Sequence, residues 1–399
     1  MTSRAPAQAL SCLIVHPGSE LYGSDRVLLE SAQALREDGF ALTVLLPAHG
    51  PLVARLQDVG ARVEIVPLLV LRKSLLRPPG LLRLLWGALR DTVGGWRMLS
   101  RIQPSVVYVN TVTLPVWPVI ARLRGVPTLL HVHEGEQGAR RIVKQLMYAP
   151  ALAARAVIVN SHFSNRVIAE VYPSVAAAAT VVANAVPGPA QPTLPRLRID
   201  GALRVVYVGR LSPRKGPDVA VEAVSQLSDR GIAATLDLVG DAFAGYEWYS
   251  HEIEARISAG GLSDAVFLRG FHADVWPYLA ASDVVVIPSR LDEPFGNTVI
   301  EAVLAIRPAI VSDTSGLRES GAGFASVTFI PPDDPGALAD ALEHIHDEWG
   351  VIREKALDAA MSARERYSPT RYGTEIVAFA RALSERGPLP HHEQSEQSS

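Results

Sequence analysis

Short runs of β-branched and aliphatic residues alternate along the chain with longer stretches whose apolar positions recur at helical spacing. In the first half the runs are 12–16, 41–46, 62–66, 105–109, 128–132 and 156–160. Helices are predicted between most of them, the first over 25–37 with Gly39 as its C-terminal stop. After a stretch carrying Pro187, Pro189, Pro192 and Pro195 the alternation restarts, with runs at 203–208, 234–239, 265–268, 283–288 and 309–312. This pattern predicts βαβ units, mainly parallel sheets, and two similar α/β domains with a ligand cleft between them. Helices are expected over 334–349, 351–366 and 370–385. The expected divisions are 1–190, a linker at 191–202, 203–366, a C-terminal helix at 367–385 that crosses back to the first domain, and a disordered tail at 386–399.

Composition narrows the class. A chain of 399 residues exceeds one ordinary core, and 48% apolar with 20% charged residues marks it as globular. A net charge of -3 argues against a nucleic-acid binder. The sole cysteine, Cys12, falls in an apolar run and fits a reducing compartment. Neither a signal peptide nor a membrane-spanning run is read from the sequence, so a cytoplasmic protein is expected.

The stretch 289–301 concentrates candidate chemistry. It reads as the loop and helix start after a buried strand, where free N–H groups and the helix dipole suit a phosphate. Glu293 and Glu301 lie eight residues apart. On one helix that spacing would separate them by about 80° and roughly 12 Å, so they serve one ligand only if Glu293 precedes the helix. Thr298 and Glu301 also fit a capping box, which would explain Glu301 without any ligand.

After the first strand of the second domain, 209–216 carries Gly209, Arg210, Lys215 and Gly216, suited to neutralising a diphosphate, although arginine and lysine there also read as solvated loop charges. In the loop after the first strand, Gly23 and Ser24 could open a helix towards a ligand, or Ser24 or Asp25 could simply cap that helix. No dinucleotide fingerprint occurs there. His131 and His133 alternate to the same side of a strand end, with His133 the more terminal; a sugar hydroxyl partner or a satisfied interior position suits them better than a metal.

The stretch 68–101 interleaves Arg72, Lys73, Arg77, Arg83, Arg90, Arg97 and Arg101 with bulky apolar residues such as Leu82, Leu85, Trp86, Leu89 and Trp96. An interfacial helix on an anionic membrane and a core-packed helix with a solvated basic face account for it equally well.

Taken together, the motifs resemble the retaining glycosyltransferases of family 4 over nearly the whole chain, from residue 11 to about 382. The most specific are Glu293-x7-Glu301 within PSRLDEPFGNTVIEA and Gly209-Arg210-x4-Lys215-Gly216; YGSDRVLLE, HVHE, VIVNSHFS and VVANAVP follow in the family's order.

The resemblance implies a GT-B architecture of two facing Rossmann-like domains, and transfer of a hexose or deoxyhexose from a nucleoside-diphosphate sugar to a hydroxyl of a glycan or lipid-linked acceptor. It implies that Glu301 holds the ribose hydroxyls, that Glu293 contacts the transferred sugar, and that Arg210 and Lys215 bind the diphosphate. The backbone around Phe295, Gly296, Asn297 and Thr298 would complete the phosphate contacts, His133 would bond the donor sugar near the reacting carbon, and Gly23 would face the phosphates. The donor would be a UDP- or GDP-sugar, with no metal and no bound cofactor. The expected location is cytoplasmic, at the inner face of the plasma membrane if 68–101 contacts it.

This chain departs from the family in having Tyr22, Gly23 and Asp25 where two glycines and a glutamate are usual, Asn110 where a histidine is frequent, and Ile306 in place of a glycine, a change expected to alter only packing. A sugar-nucleotide epimerase or hydrolase of the same fold, or a non-catalytic sugar-nucleotide-binding subunit, are the alternatives.

Overall fold

A computed structural model describes residues 10–71, 78–243 and 245–390. The chain forms two compact units, one from the described residues up to Ala185 together with those from Pro369 onward, the other from Val186 to Ser368.

The first unit is built on seven parallel strands: β1 (Ser11–Val15), β2 (Ala41–Leu46), β3 (Arg62–Ile65), β4 (Val106–Val109), β5 (Thr128–Val132), β6 (Ala156–Val159) and β7 (Thr180–Val181). Their spatial order is β3-β2-β1-β4-β5-β6-β7. The second unit holds β8 (Leu203–Val208), β9 (Ala234–Val239), β10 (Val266–Gly270), β11 (Val284–Ile287), β12 (Ala309–Ser312) and β13 (Val327–Ile330), ordered β10-β9-β8-β11-β12-β13. In both sheets the order reverses beside the first strand, at β1/β4 and at β8/β11. Ligands of open α/β sheets bind outside the carboxyl ends of strands at such a point.

The central strands are apolar throughout because both faces are covered. In β1, Cys12 and Ile14 pack into one core while Leu13 and Val15 pack into another. In β11, Val284 and Val286 face one way and Val285 and Ile287 the other. Two strands escape the sequence pattern. β7 has only two residues, and β13 is an edge strand whose Thr328 and Phe329 are exposed.

The Pro369–Ser384 helix packs on the Gly23–Glu37 helix, where Tyr372, Ile376, Phe379 and Leu383 join Val27, Leu28, Ala32 and Leu35 in one core. Leu389 packs against that same core. Residues 391–399 of the expected tail lie outside the described residues.

The proline-rich stretch is held to the second unit. Arg307, 1% exposed, donates to the carbonyls of Thr193 at 3.0 Å, Ser282 at 2.7 Å and Ala280 at 2.6 Å. Trp349 donates to Arg196 O at 3.0 Å, and Arg196 reaches buried Asp283 at 2.6 Å. Burial lowers the Arg307 guanidinium to about 10, and the carbonyls around it take up its N–H groups. Ile306 has φ 60°, a left-handed backbone that favours glycine, so the isoleucine bears on the backbone as well as on packing. Its side chain is 6% exposed and packs with Ala356 and Ala360, which offsets the strain.

The Pro78–Ile102 helix departs from an ordinary amphipathic helix. Gly87, Asp91, Gly95 and Leu99 face inward and are buried, while Leu82, Leu85, Trp86, Leu89, Val93 and Trp96 are exposed, Leu82 by 78% and Trp86 by 68%. The small residues permit close packing, since a Cβ on Gly95 would lie 2.2 Å from Ile120. Leu99 packs into a core, with Met98 and Ile102 against it, as a core-packed helix requires, while the bulky residues of the opposite face stay outside it. Arg83, Arg90 and Arg97 line one flank of the apolar face, about 90° from its centre. Exposed Leu123, Ile142 and Leu146 on two other helices of this unit add apolar surface that the sequence did not signal. Arg72, Lys73 and Arg77 lie outside the described residues. Among the described residues no helix is long and apolar enough to cross a membrane.

Candidate functional site

In the second unit, the loops after β8 and β11 are laced together. Gly216 opens the Pro217–Asp229 helix with φ 65°, and a Cβ there would lie 2.2 Å from the Pro288 carbonyl oxygen. Only glycine allows both that backbone and that approach. Arg290 grips Asp218 through both oxygens at 2.7 and 2.8 Å and donates to Pro213 O at 3.0 Å. Its own N–H meets Arg214 O at 2.9 Å, and the Arg214 guanidinium reaches Asp292 O at 2.8 Å. These contacts bring Lys215 Nζ within 2.6 Å of Glu293 Oε2. The Ser289 hydroxyl donates to the other Glu293 oxygen. Burial alone would raise the Glu293 carboxyl, but the Lys215 ammonium and the Ser289 hydroxyl outweigh it and hold it below its ordinary value. The family resemblance implies separate ligand groups for Lys215 and Glu293; here the two form an ion pair. Arg210 stacks on Phe243, its guanidinium carbon 3.7 Å from the ring centroid.

Glu293 precedes the Asn297–Leu304 helix, and Glu301 lies within it; both are 7% exposed. Gly296, at φ 103°, is the N-cap. Thr298 is therefore the second helical residue, and the expected Thr298–Glu301 capping box does not form. A Cβ on Gly296 would meet Leu317 at 2.6 Å, so glycine is needed at this helix entry. Gly296, Asn297 and Thr298 are half-buried at the helix N-terminus, just beyond the carboxyl end of β11, and Phe295 anchors the turn against Tyr367 with centroids 5.8 Å apart.

In the first unit, His16, Asn110 and His133 each directly follow one of three neighbouring strands, β1, β4 and β5. They form one hydrogen-bonded row. Asp25 Oδ1 lies 2.7 Å from His16 Nε2, and the His16 Nδ1 lies 3.0 Å from Asn110 Nδ2. Asn110 Oδ1 then meets His133 Nε2 at 2.9 Å. The second carboxylate oxygen of Asp25 accepts the Tyr22 N–H at 2.9 Å. Gly23 is exposed and Ser24 half-buried at the start of this helix, whose N-cap is Tyr22 and not Ser24 or Asp25. The His131 ring lies 3.9 Å from the His133 ring, fully buried, with Nδ1 2.7 Å from the Tyr108 hydroxyl and Nε2 unpartnered. Burial lowers His133 to about 3, reinforced by His16 and opposed by Asp25. Glu134 accepts the His133 N–H at 3.0 Å, fixing that turn.

Sequence reasoning singled out His133 but missed the parts of His16 and Asp25 in the row. Asn110 drew notice only as a departure from the family pattern. Among the described residues no group of three histidine, cysteine or acidic side chains is placed to hold a metal ion.

Residues 22–187 match the family model described as Glycosyltransferase Family 4, and residues 202–348 match that of Glycosyl transferases group 1. The chain belongs to the family-4 glycosyltransferases. This glycosyltransferase is 28% identical over 190 residues to an alpha-D-kanosaminyltransferase of Streptomyces kanamyceticus, covering 47% of this chain and 48% of that one. The match thus spans about half the length of that relative. A glycogen synthase of Mycobacterium tuberculosis is 25% identical over 310 residues, 72% of each chain. Among solved structures, Anabaena HepE in complex with UDP and glucose superposes with a TM-score of 0.78 at 23% identity, covering 94% of this chain and 99% of that one. Sucrose-phosphate synthase of Thermosynechococcus elongatus gives 0.74 at 18% identity over 95% and 100%. These likenesses and the two parallel sheets identify the GT-B fold.

Proposed function

We propose that this protein is a retaining glycosyltransferase that moves a hexose or deoxyhexose from a UDP- or GDP-sugar to a hydroxyl of a glycan or lipid-linked acceptor. The observation that carries this reading is the junction at β8 and β11, where Lys215 and Glu293 meet beside the N-terminus formed by Gly296, Asn297 and Thr298. Glu301 takes the ribose hydroxyls. Arg210 and Lys215 take the diphosphate, assisted by the backbone of residues 295–298, and Glu293 takes the sugar. His133 bonds the sugar near its reacting carbon, and Gly23 and Ser24 face the phosphates. HepE, solved with UDP and glucose, and the glycosyltransferase relatives support a nucleotide-sugar donor.

In this mechanism the bond from the anomeric carbon to the phosphate oxygen breaks first, leaving an oxocarbenium-like centre. The acceptor hydroxyl forms its bond on the same face and passes its proton to the departing phosphate oxygen. Positive charge at Lys215 and Arg210 stabilises the phosphate as charge develops on it, and this needs no metal. Glu293, tied to Lys215 and Ser289, is held as a hydrogen-bond acceptor for sugar hydroxyls. Saturation-transfer NMR with a panel of UDP- and GDP-sugars tests the donor assignment. At least one member binds; a panel in which none binds removes the reading.

The same proposal places the chemistry in the cytoplasm at an anionic membrane surface. Its support is the Pro78–Ile102 helix, which turns Leu82, Leu85, Trp86 and Leu89 outward beside Arg83, Arg90 and Arg97. Co-sedimentation with vesicles containing anionic lipid is expected at low salt, weakening at high salt, and strongly reduced in a Leu85→Glu/Trp86→Glu double variant. Equal recovery of both proteins in the supernatant at low salt contradicts membrane contact.

A further inference from the structure

The row from Asp25 to His133 has a direction. An ionised carboxylate only accepts hydrogen bonds, an amide oxygen only accepts, and an amide nitrogen only donates. Starting from the Asp25 carboxylate, His16 must present Nε2–H to Oδ1, which leaves Nδ1 of a neutral ring as acceptor. Asn110 turns its Nδ2 to that nitrogen and its Oδ1 to His133. His133 must then carry its proton on Nε2, leaving the Nδ1 lone pair with no partner among the described residues.

We infer that Asp25, His16 and Asn110 are positioning residues that fix the proton of His133 on Nε2, so that His133 meets the bound sugar through Nδ1 as a hydrogen-bond acceptor. The half concerning the sugar rests on the proposed contact between His133 and the donor; the half concerning the proton rests on the row alone. Three further features support it. The ring is held in place from beside by His131, itself bonded to Tyr108. Burial keeps the His133 ring neutral near pH 7, so one ring nitrogen, not both, bears hydrogen. Asp25 is also pinned, because its Oδ2 accepts the Tyr22 N–H. A sugar hydroxyl is the group this arrangement selects, since it can donate to Nδ1, whereas a hydrogen or an ether oxygen at the same place leaves the lone pair unsatisfied.

The pinning of Asp25 supplies a specific test. In Asp25→Asn, the amide oxygen must stay with the Tyr22 N–H, which turns the new NH2 towards His16 Nε2. His16 then carries its proton on Nδ1, Asn110 turns over, and His133 is left with Nδ1–H. A change at Asp25 thus inverts a ring three hydrogen bonds away.

Long-range nitrogen–proton NMR on the full chain with 15N-labelled histidine reads the tautomers without any donor; a His133→Gln spectrum assigns the signals. Wild-type His133 is expected as the Nε2–H form and Asp25→Asn as the Nδ1–H form. A wild-type His133 that is protonated on Nδ1, or on both nitrogens near pH 7, overturns the inference, and that measurement requires no variant to fold. A folded Asp25→Asn protein with an unchanged His133 signal overturns it as well. With the best donor of the panel, Asp25→Asn is expected to lower kcat/KM at least tenfold for a sugar with the hydroxyl, and by much less for the corresponding deoxy sugar. Inverted tautomers with equal losses for the two sugars leave the row in place but refute the contact between His133 and the sugar, and with it that half of the inference.

Discussion

Lys215→Ala is expected to lower kcat by about a hundredfold to a thousandfold while raising the donor KM by less than about tenfold. The asymmetry follows from what the lysine faces before and during reaction. In the structure its ammonium is 2.6 Å from Glu293 and largely neutralised. A bound diphosphate competes for a lysine that already has an anionic partner, so its contribution to ground-state binding is modest. As the glycosidic bond breaks, negative charge grows on the phosphate and the same ammonium contributes more. Steady-state kinetics over donor concentration, scored by nucleotide release, separates the two parameters. An unchanged kcat with a large rise in KM would assign Lys215 to binding alone, and full activity would remove it from the reaction. Loss of the lysine also leaves Glu293 buried without its ion pair, so Lys215→Arg is the companion variant that keeps the charge.

Glu301→Ala is expected to weaken nucleotide binding by about ten- to a hundredfold, the loss of hydrogen bonds from two hydroxyls to one carboxylate. At saturating donor, kcat falls much less, because the ribose is remote from the reacting carbon. Glu301→Gln, which conserves shape, is expected to lose less than the alanine variant. Calorimetric titration with the free nucleoside diphosphate reads this without turnover. Unaltered affinity in both variants would reduce Glu301 to a buried structural residue of its helix.

The fold was largely legible because the central strands, covered on both faces, carry uninterrupted apolar residues, as in Val284–Ile287. The edges were less so: Thr180–Val181 is too short to show a pattern, and Val327–Ile330 has exposed Thr328 and Phe329. The site was legible as motifs but not as contacts. Thr298-x-x-Glu301 has the spacing of a capping box, yet a positive φ at Gly296 starts the helix two residues earlier than that box requires. Lys215 and Glu293 are 78 positions apart, and only the adjacency of β8 and β11 reveals their ion pair. The row through His16, Asn110 and His133 was hidden for the same reason, since its members come from the ends of three strands that are neighbours only in space. The proline-rich stretch looked like a free linker because Arg307, which holds Thr193, lies 114 positions away.

The central claim is transfer with retention, and the product tests it most directly. The donor that binds is incubated with glycan and lipid-linked acceptors, and the anomeric proton of the product is read by NMR while it is still fresh. A new glycoside with the donor's own anomeric configuration is predicted. An inverted glycoside contradicts the mechanism, an altered or free sugar identifies an epimerase or hydrolase, and donor binding without any turnover identifies a non-catalytic subunit.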